Sequence, residues 1–158
     1  MFSLRNIAAL VLLTFVSTVG TGCATMKVDP NHPTPEQQAK KLQELAKLAD
    51  GSDKVITIAR DLQDFEIQLF NSHSVPALTA DKHRAIQTAF KEAFDTSVTA
   101  LTVAKNVTTP ESTRREAVQS IVVSISHALD QLDGLHGTPL ASLITSLTAA
   151  LLAINLVV

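Results

Sequence analysis

The sequence predicts an all-α fold, an antiparallel up-and-down bundle of four to five helices over residues 35–158. Three observations lead there. From residue 35 onward, apolar side chains recur at three- and four-residue spacing, and no stretch alternates with period two long enough to compete as a strand. Thr34-Pro35, Thr109-Pro110 and Thr138-Pro139 each place a hydroxyl at an N-cap and a proline at the first helical position, where it forfeits no hydrogen bond and presets φ. The links at 51–52, 71–79, 107–109 and 134–138 are short, which favours antiparallel neighbours.

Five segments follow in order. The first, 35–50, opens on a capping box, Thr34 with Gln37, carries Leu42, Leu45, Leu48 and Ala49 on one stripe, and is expected to stop at Gly51. The second, 53–71, presents Val55, Ile58, Leu62, Phe65 and Leu69 on one face, broadened by Ile56, Ala59, Ile67 and Phe70. The third, 80–106, starts at Thr79 with Asp81 in its first turn and runs through Ile86, Phe90, Phe94, Val98, Leu101 and Ala104. The fourth, 110–133, runs through Val118, Ile121, Val122, Ile125, Leu129 and Leu132. Phe65, Phe70, Phe90 and Phe94 all fall on the second and third segments, so that hairpin is expected to supply an aromatic centre, with Phe90 and Phe94 against Phe65 and Leu69.

The fifth segment, 139–158, is the most apolar. No Lys or Arg follows Glu116, and Asp133 is the last charged side chain. One face carries Leu140, Leu143, Ile144, Leu147, Leu151 and Ile154; the other carries Ser142, Ser146, Ala149, Ala150 and Ala153, small enough for close helix contact. A central bundle helix is the reading taken. Self-association or a protein partner, and membrane insertion, are the alternatives; missing Lys, Arg, Trp and Tyr flanks weigh against a spanning helix.

Composition narrows the function. The 158 residues are one domain's worth, and 46% hydrophobic with 18% charged residues suits a packed core. A net charge of −2 without Trp or Tyr fits no nucleic-acid binder, which needs basic patches and stacking platforms. A single cysteine excludes an internal disulfide framework and a multi-cysteine zinc site.

That cysteine carries the strongest signal. Arg5 precedes an uncharged run of thirteen residues, 7–19, short for a bilayer span and right for the apolar part of an export signal over 1–22. Gly20-Thr21-Gly22-Cys23 follows. Residues 1–23 resemble bacterial lipoprotein precursors, whose box Leu-(Ala/Ser)-(Gly/Ala)-Cys is cut before the cysteine; Gly22 fits, and Gly20 stands where Leu is usual. The resemblance implies a diacylglyceryl thioether on Cys23, acylation (palmitate and its like) of the freed amino group, and anchoring by two or three chains. By the same resemblance Ala24, where Asp would favour the inner membrane, implies delivery to the outer membrane of a Gram-negative envelope, facing the periplasm. Residues 23–34 then form a lipidated, proline-rich tether to the domain.

No catalytic constellation is legible. His32, His73, His83, His127 and His136 make no i,i+4 pair, and His-Glu-x-x-His, Cys-x-x-Cys, phosphate loops and a Gly-x-Ser-x-Gly elbow are all absent. His83, two residues from Asp81, is expected to be solvated, and His127, one turn from Asp130, to be structural or superficial. Asn106-Val107-Thr108 reads as loop composition and a helix stop, Arg114-Arg115 as a small basic spot, and Glu36 with Lys40 and Gln43 with Lys47 as a solvated face. The expectation is therefore a lipid-anchored, non-enzymatic envelope protein that binds or scaffolds, without cofactor or metal. The alternative is a membrane-active, pore-forming or oligomerising protein using 139–158.

Overall fold

The computed structural model describes residues 33–157, and Pro33–Val158 make one compact unit. The predicted leader, Cys23 and the tether through His32 lie outside the described residues. Four α-helices form the unit: α1 (Pro35–Asn71), α2 (Ala80–Lys105), α3 (Glu111–Asp130) and α4 (Ala141–Asn155). α1 packs against each of the other three, α2 against α3, and α3 against α4. The short links and these neighbours make an up-and-down four-helix bundle, as the periodicity predicts.

Gly51 does not end a helix. The first two predicted segments are one 37-residue helix, about 55 Å long, that passes straight through it. Glycine here serves a close approach: a Cβ at residue 51 would lie 3.3 Å from Cγ1 of Ile154 on α4. Ser52 keeps the turn satisfied by donating its hydroxyl to the carbonyl of Leu48 (2.9 Å). Helix hydrogen bonds and the burial of Leu48, Ala49, Val55 and Ile56 on both sides of the glycine outweigh its cost of about 1 kcal/mol in a helix interior.

Two of the predicted helix starts hold and two shift. Thr34 and Gln37 form the reciprocal capping box, at 3.3 and 2.9 Å, and Thr79 accepts from the backbone N–H of Lys82 at 3.2 Å. At α3 the cap is Pro110 itself, without a side-chain bond, so Thr109 lies one residue outside. Thr138 spends its hydroxyl on a turn, donating to the carbonyl of Leu135 (2.6 Å) and accepting from Leu140 N–H (3.2 Å), and α4 starts only at Ala141. The fourth segment likewise gives way to turns after Asp130, with Gly134 at φ 82°. In those turns Leu132, Leu135 and Leu140 are buried, closing one end of the core.

One face of 139–158 belongs to the core. Leu140, Ile144, Leu147, Leu151 and Ile154 are buried, while Ser142, Thr145, Ser146, Ala149 and Ala153 face outward. At 15 residues, α4 is about 22 Å long, short of the roughly 30 Å of a bilayer core. Among the described residues no helix is long and apolar enough to cross a membrane.

The aromatic centre is thinner than expected. Phe90 is fully buried and its ring lies 5.8 Å from that of Phe94, but Phe94 and Phe65 are only half-buried. The register sets Phe94 beneath the guanidinium of Arg60, 5.6 Å from the ring centroid, instead of against Phe65.

Two outcomes follow. Phe90→Ala should lose about 3–5 kcal/mol and Phe94→Ala clearly less, measured by denaturant unfolding; equal losses would contradict the burial difference. Leu147→Asp should abolish the cooperative thermal transition, because it buries an unpaired carboxylate; a mutant melting within a few degrees of the parent would remove α4 from the core.

Candidate functional site

The most concentrated polar chemistry lies between α1 and α2. Glu66 sits on the core stripe of α1, between Leu62 and Leu69, and has no solvent exposure. A carboxylate there must be met by donors. Nδ1 of His83 lies 2.9 and 3.1 Å from its two oxygens, and Gln87, one turn further along α2, donates Nε2–H to Oε2 at 2.7 Å. Gln63 in turn donates to Oε1 of Gln87 at 2.7 Å.

Packing fixes the imidazole as firmly as the hydrogen bonds do. The ring of Phe70 stacks on it, centroids 3.9 Å apart and planes 2° from parallel. The expectation of a solvated His83 is thus corrected: its side chain is 22% exposed and engaged on one face and one edge. Sequence reading missed Glu66 altogether. The signal was a lone acid at the core register of its helix, but pairing it with His83 needs the antiparallel alignment that only the folded hairpin supplies.

Chemically the cluster orients an imidazole and ties two helices. No nucleophile hydrogen-bonds to the other ring nitrogen among the described residues, and no group of three or more His, Cys, Asp or Glu there could hold a metal ion. The geometry supports a structural clamp that sets register, a role buried polar groups are known to serve.

A second set of polar contacts gathers the bundle's other end. Arg114 is buried and donates Nε–H to the carbonyl of Ala104 at 2.8 Å, satisfying one of the orphan acceptors at the C-terminus of α2 with a cation suited to that pole. Arg115 donates to Glu111 (3.1 Å) and to the carbonyl of Val157 (3.0 Å), and Lys41 lies 3.5 Å from Glu111. The predicted basic spot is therefore two unlike residues, one a buried tie and one a bridge. The Arg115 hydrogen bond, helped by the Lys41 charge against some desolvation, holds the Glu111 carboxyl below its ordinary value of 4.5. A groove of about 270 Å³ opens beside these groups, lined by Gln38, Leu42, Leu45, Val107 and Thr109 among others.

The remaining candidates stay apart. His73 is exposed, in the left-handed region at φ 53°, His127 is exposed on α3, and His136 lines a groove with Asp130 and Asp133. Asn106 caps α2 and accepts from Thr108 N–H and Oγ1–H at 3.0 and 2.8 Å, the helix stop its sequence suggests. Glu36, Lys40, Gln43 and Lys47 are exposed, a solvated face. No family model, curated protein or solved structure matches the chain.

His83→Ala should cost about 1–3 kcal/mol, because the buried carboxylate then lacks a donor. Adding Glu66→Met should recover part of that loss, since the group that required the donor has gone. Thermal melting of both singles and the double checks this; strictly additive losses would show that the two side chains do not act as a unit.

Proposed function

We propose that the chain is a lipid-anchored bacterial envelope protein whose helical domain works by binding or scaffolding, without catalysis. The observation that carries this reading is Cys23, the chain's one thiol, set directly behind an apolar run of thirteen residues and the small residues Gly20, Thr21 and Gly22. The anchor chemistry needs a thiol nucleophile for the lipid and small side chains beside the cut. α1 begins at Pro35, twelve residues after that cysteine, and the stretch between them is the tether of this reading.

The domain supports a passive role. Its buried titratable groups, Glu66 and Arg114, are engaged in holding helices to one another. A second reading rests on the uncharged stretch 139–158: α4 could leave the bundle and act on membranes or self-associate. That act would expose the face of Leu140, Ile144, Leu147, Leu151 and Ile154 now in the core. Dye leakage from vesicles, with loss of the native near-ultraviolet spectrum, would favour it.

For the anchor, Cys23→Ala should leave the protein uncleaved or released from membranes, and intact-mass analysis of the parent should show acyl chains on a polypeptide starting at Cys23. Mature-size Cys23→Ala protein still bound to membranes would overturn the proposal.

A further inference from the structure

The dipeptide Asp-Gly occurs twice, at 50–51 and 133–134, and the fold places the two in opposite circumstances. Asp50-Gly51 lies inside α1, where the N–H and C=O of the joining peptide belong to the helical hydrogen-bond ladder and Ile154 stands against the glycine. Asp133-Gly134 lies in the turns between α3 and α4, with both residues exposed. Around it, Asp133 and Leu135 donate their backbone N–H groups to the carbonyls of Asp130 and Leu132, at 3.2 and 3.0 Å. Among the described residues, the peptide joining 133 to 134 makes no backbone hydrogen bond; its N–H donates to Oδ1 of Asp133 itself, at 2.9 Å. Gly134 has a φ of 82° and open space where a Cβ would stand.

We infer that Asp133-Gly134 is a site of spontaneous covalent modification in the folded protein, closing to a succinimide and reopening as isoaspartate, and that α1 protects the same dipeptide at 50–51. The amide nitrogen of Gly134 attacks Cγ of Asp133 and closes a ring through a new N–Cγ bond. The amide hydrogen, one solvent proton and one carboxylate oxygen leave as water. Water then adds back. Breaking the N–Cγ bond restores aspartate; breaking the bond from the Asp133 main-chain carbonyl carbon to the Gly134 nitrogen routes the chain through the side chain, as isoaspartate. Ring closure requires the 133–134 peptide to rotate, which there breaks only the hydrogen bond to the carboxylate itself. At 50–51 the same rotation requires local unfolding of a helix gripped by its neighbours. Isoaspartate adds one main-chain carbon between Leu132 and Leu135, each 1% exposed, so it displaces side chains that close one end of the core.

The test ages the full chain at neutral pH and physiological temperature, once folded and once unfolded in guanidinium chloride. Isoaspartate is counted by enzymatic methylation with labelled S-adenosylmethionine. It is located by peptide mass mapping, through loss of cleavage by a protease that cuts before aspartate; Asp130 serves as the cut control in the same peptide. In the folded chain isoaspartate should build up several-fold faster at 133 than at 50, and in the unfolded chain at comparable rates at both. Asp133→Glu, whose longer side chain does not close the same ring, should remove most of the methylation of the folded chain. The separated isoaspartyl form should melt below the parent. Equal rates at the two sites in the folded chain, a faster rate at 50, or no isoaspartate at 133 in the folded chain would each overturn the site. An isoaspartyl form that melts with the parent would overturn its effect on the core.

Discussion

A carboxylate without access to water constrains everything packed around it, and Glu66 is such a group. Its two donors, His83 and Gln87, stand one turn apart on α2, so satisfying Glu66 fixes both the rotation and the axial position of α2 against α1. A slip of one turn would take one of the two donors away from the buried acid, at a cost of about 1–3 kcal/mol. From that alignment come the Arg60 guanidinium over Phe94 and the Lys105–Asp53 pair at 2.8 Å. The latter is exposed and adds little by itself. What it shows is where α2 ends: about halfway along α1, with Glu111 at the start of α3 reaching Lys41 nearer the N-terminus of α1.

Each helix junction is closed in a way suited to its residues. Thr34 and Thr79 cap their helices with hydroxyls, and Asn106 folds back on Thr108. Where no hydroxyl serves, at the end of α2, a guanidinium from the next helix enters the core to meet the Ala104 carbonyl. One buried polar atom among the described residues goes without a partner, the hydroxyl of Ser97 in α2. Its small size keeps the helices close, but an alanine would fill the same space without an orphaned group.

Much of this was legible in the sequence, and the misses have physical causes. Apolar periodicity found the helix faces because burial of whole side chains outweighs local preference. The stop assigned to Gly51 failed because a glycine can mark either a helix end or a neighbour's close approach, and only the position of Ile154 on α4 decides between them. Thr109 and Thr138 misled by a residue or more because a Thr-Pro pair serves a turn as readily as a cap. Glu66 with His83 was invisible because the partners are seventeen residues apart and meet only in one register. The expectation for Cys23 is independent of the fold, since it rests on local order along the chain, and it lies outside the described residues.

The unbroken passage of α1 through Gly51 also has a mechanical meaning. A pull exerted between Pro35 and the α1–α2 corner runs along one rod, with backbone hydrogen bonds aligned to the load. Three neighbouring helices grip that rod from the sides, so the force is spread as shear over a long interface and no single loop must bear it. Had the helix broken at residue 51, the same load would have opened a hinge in the middle of the domain.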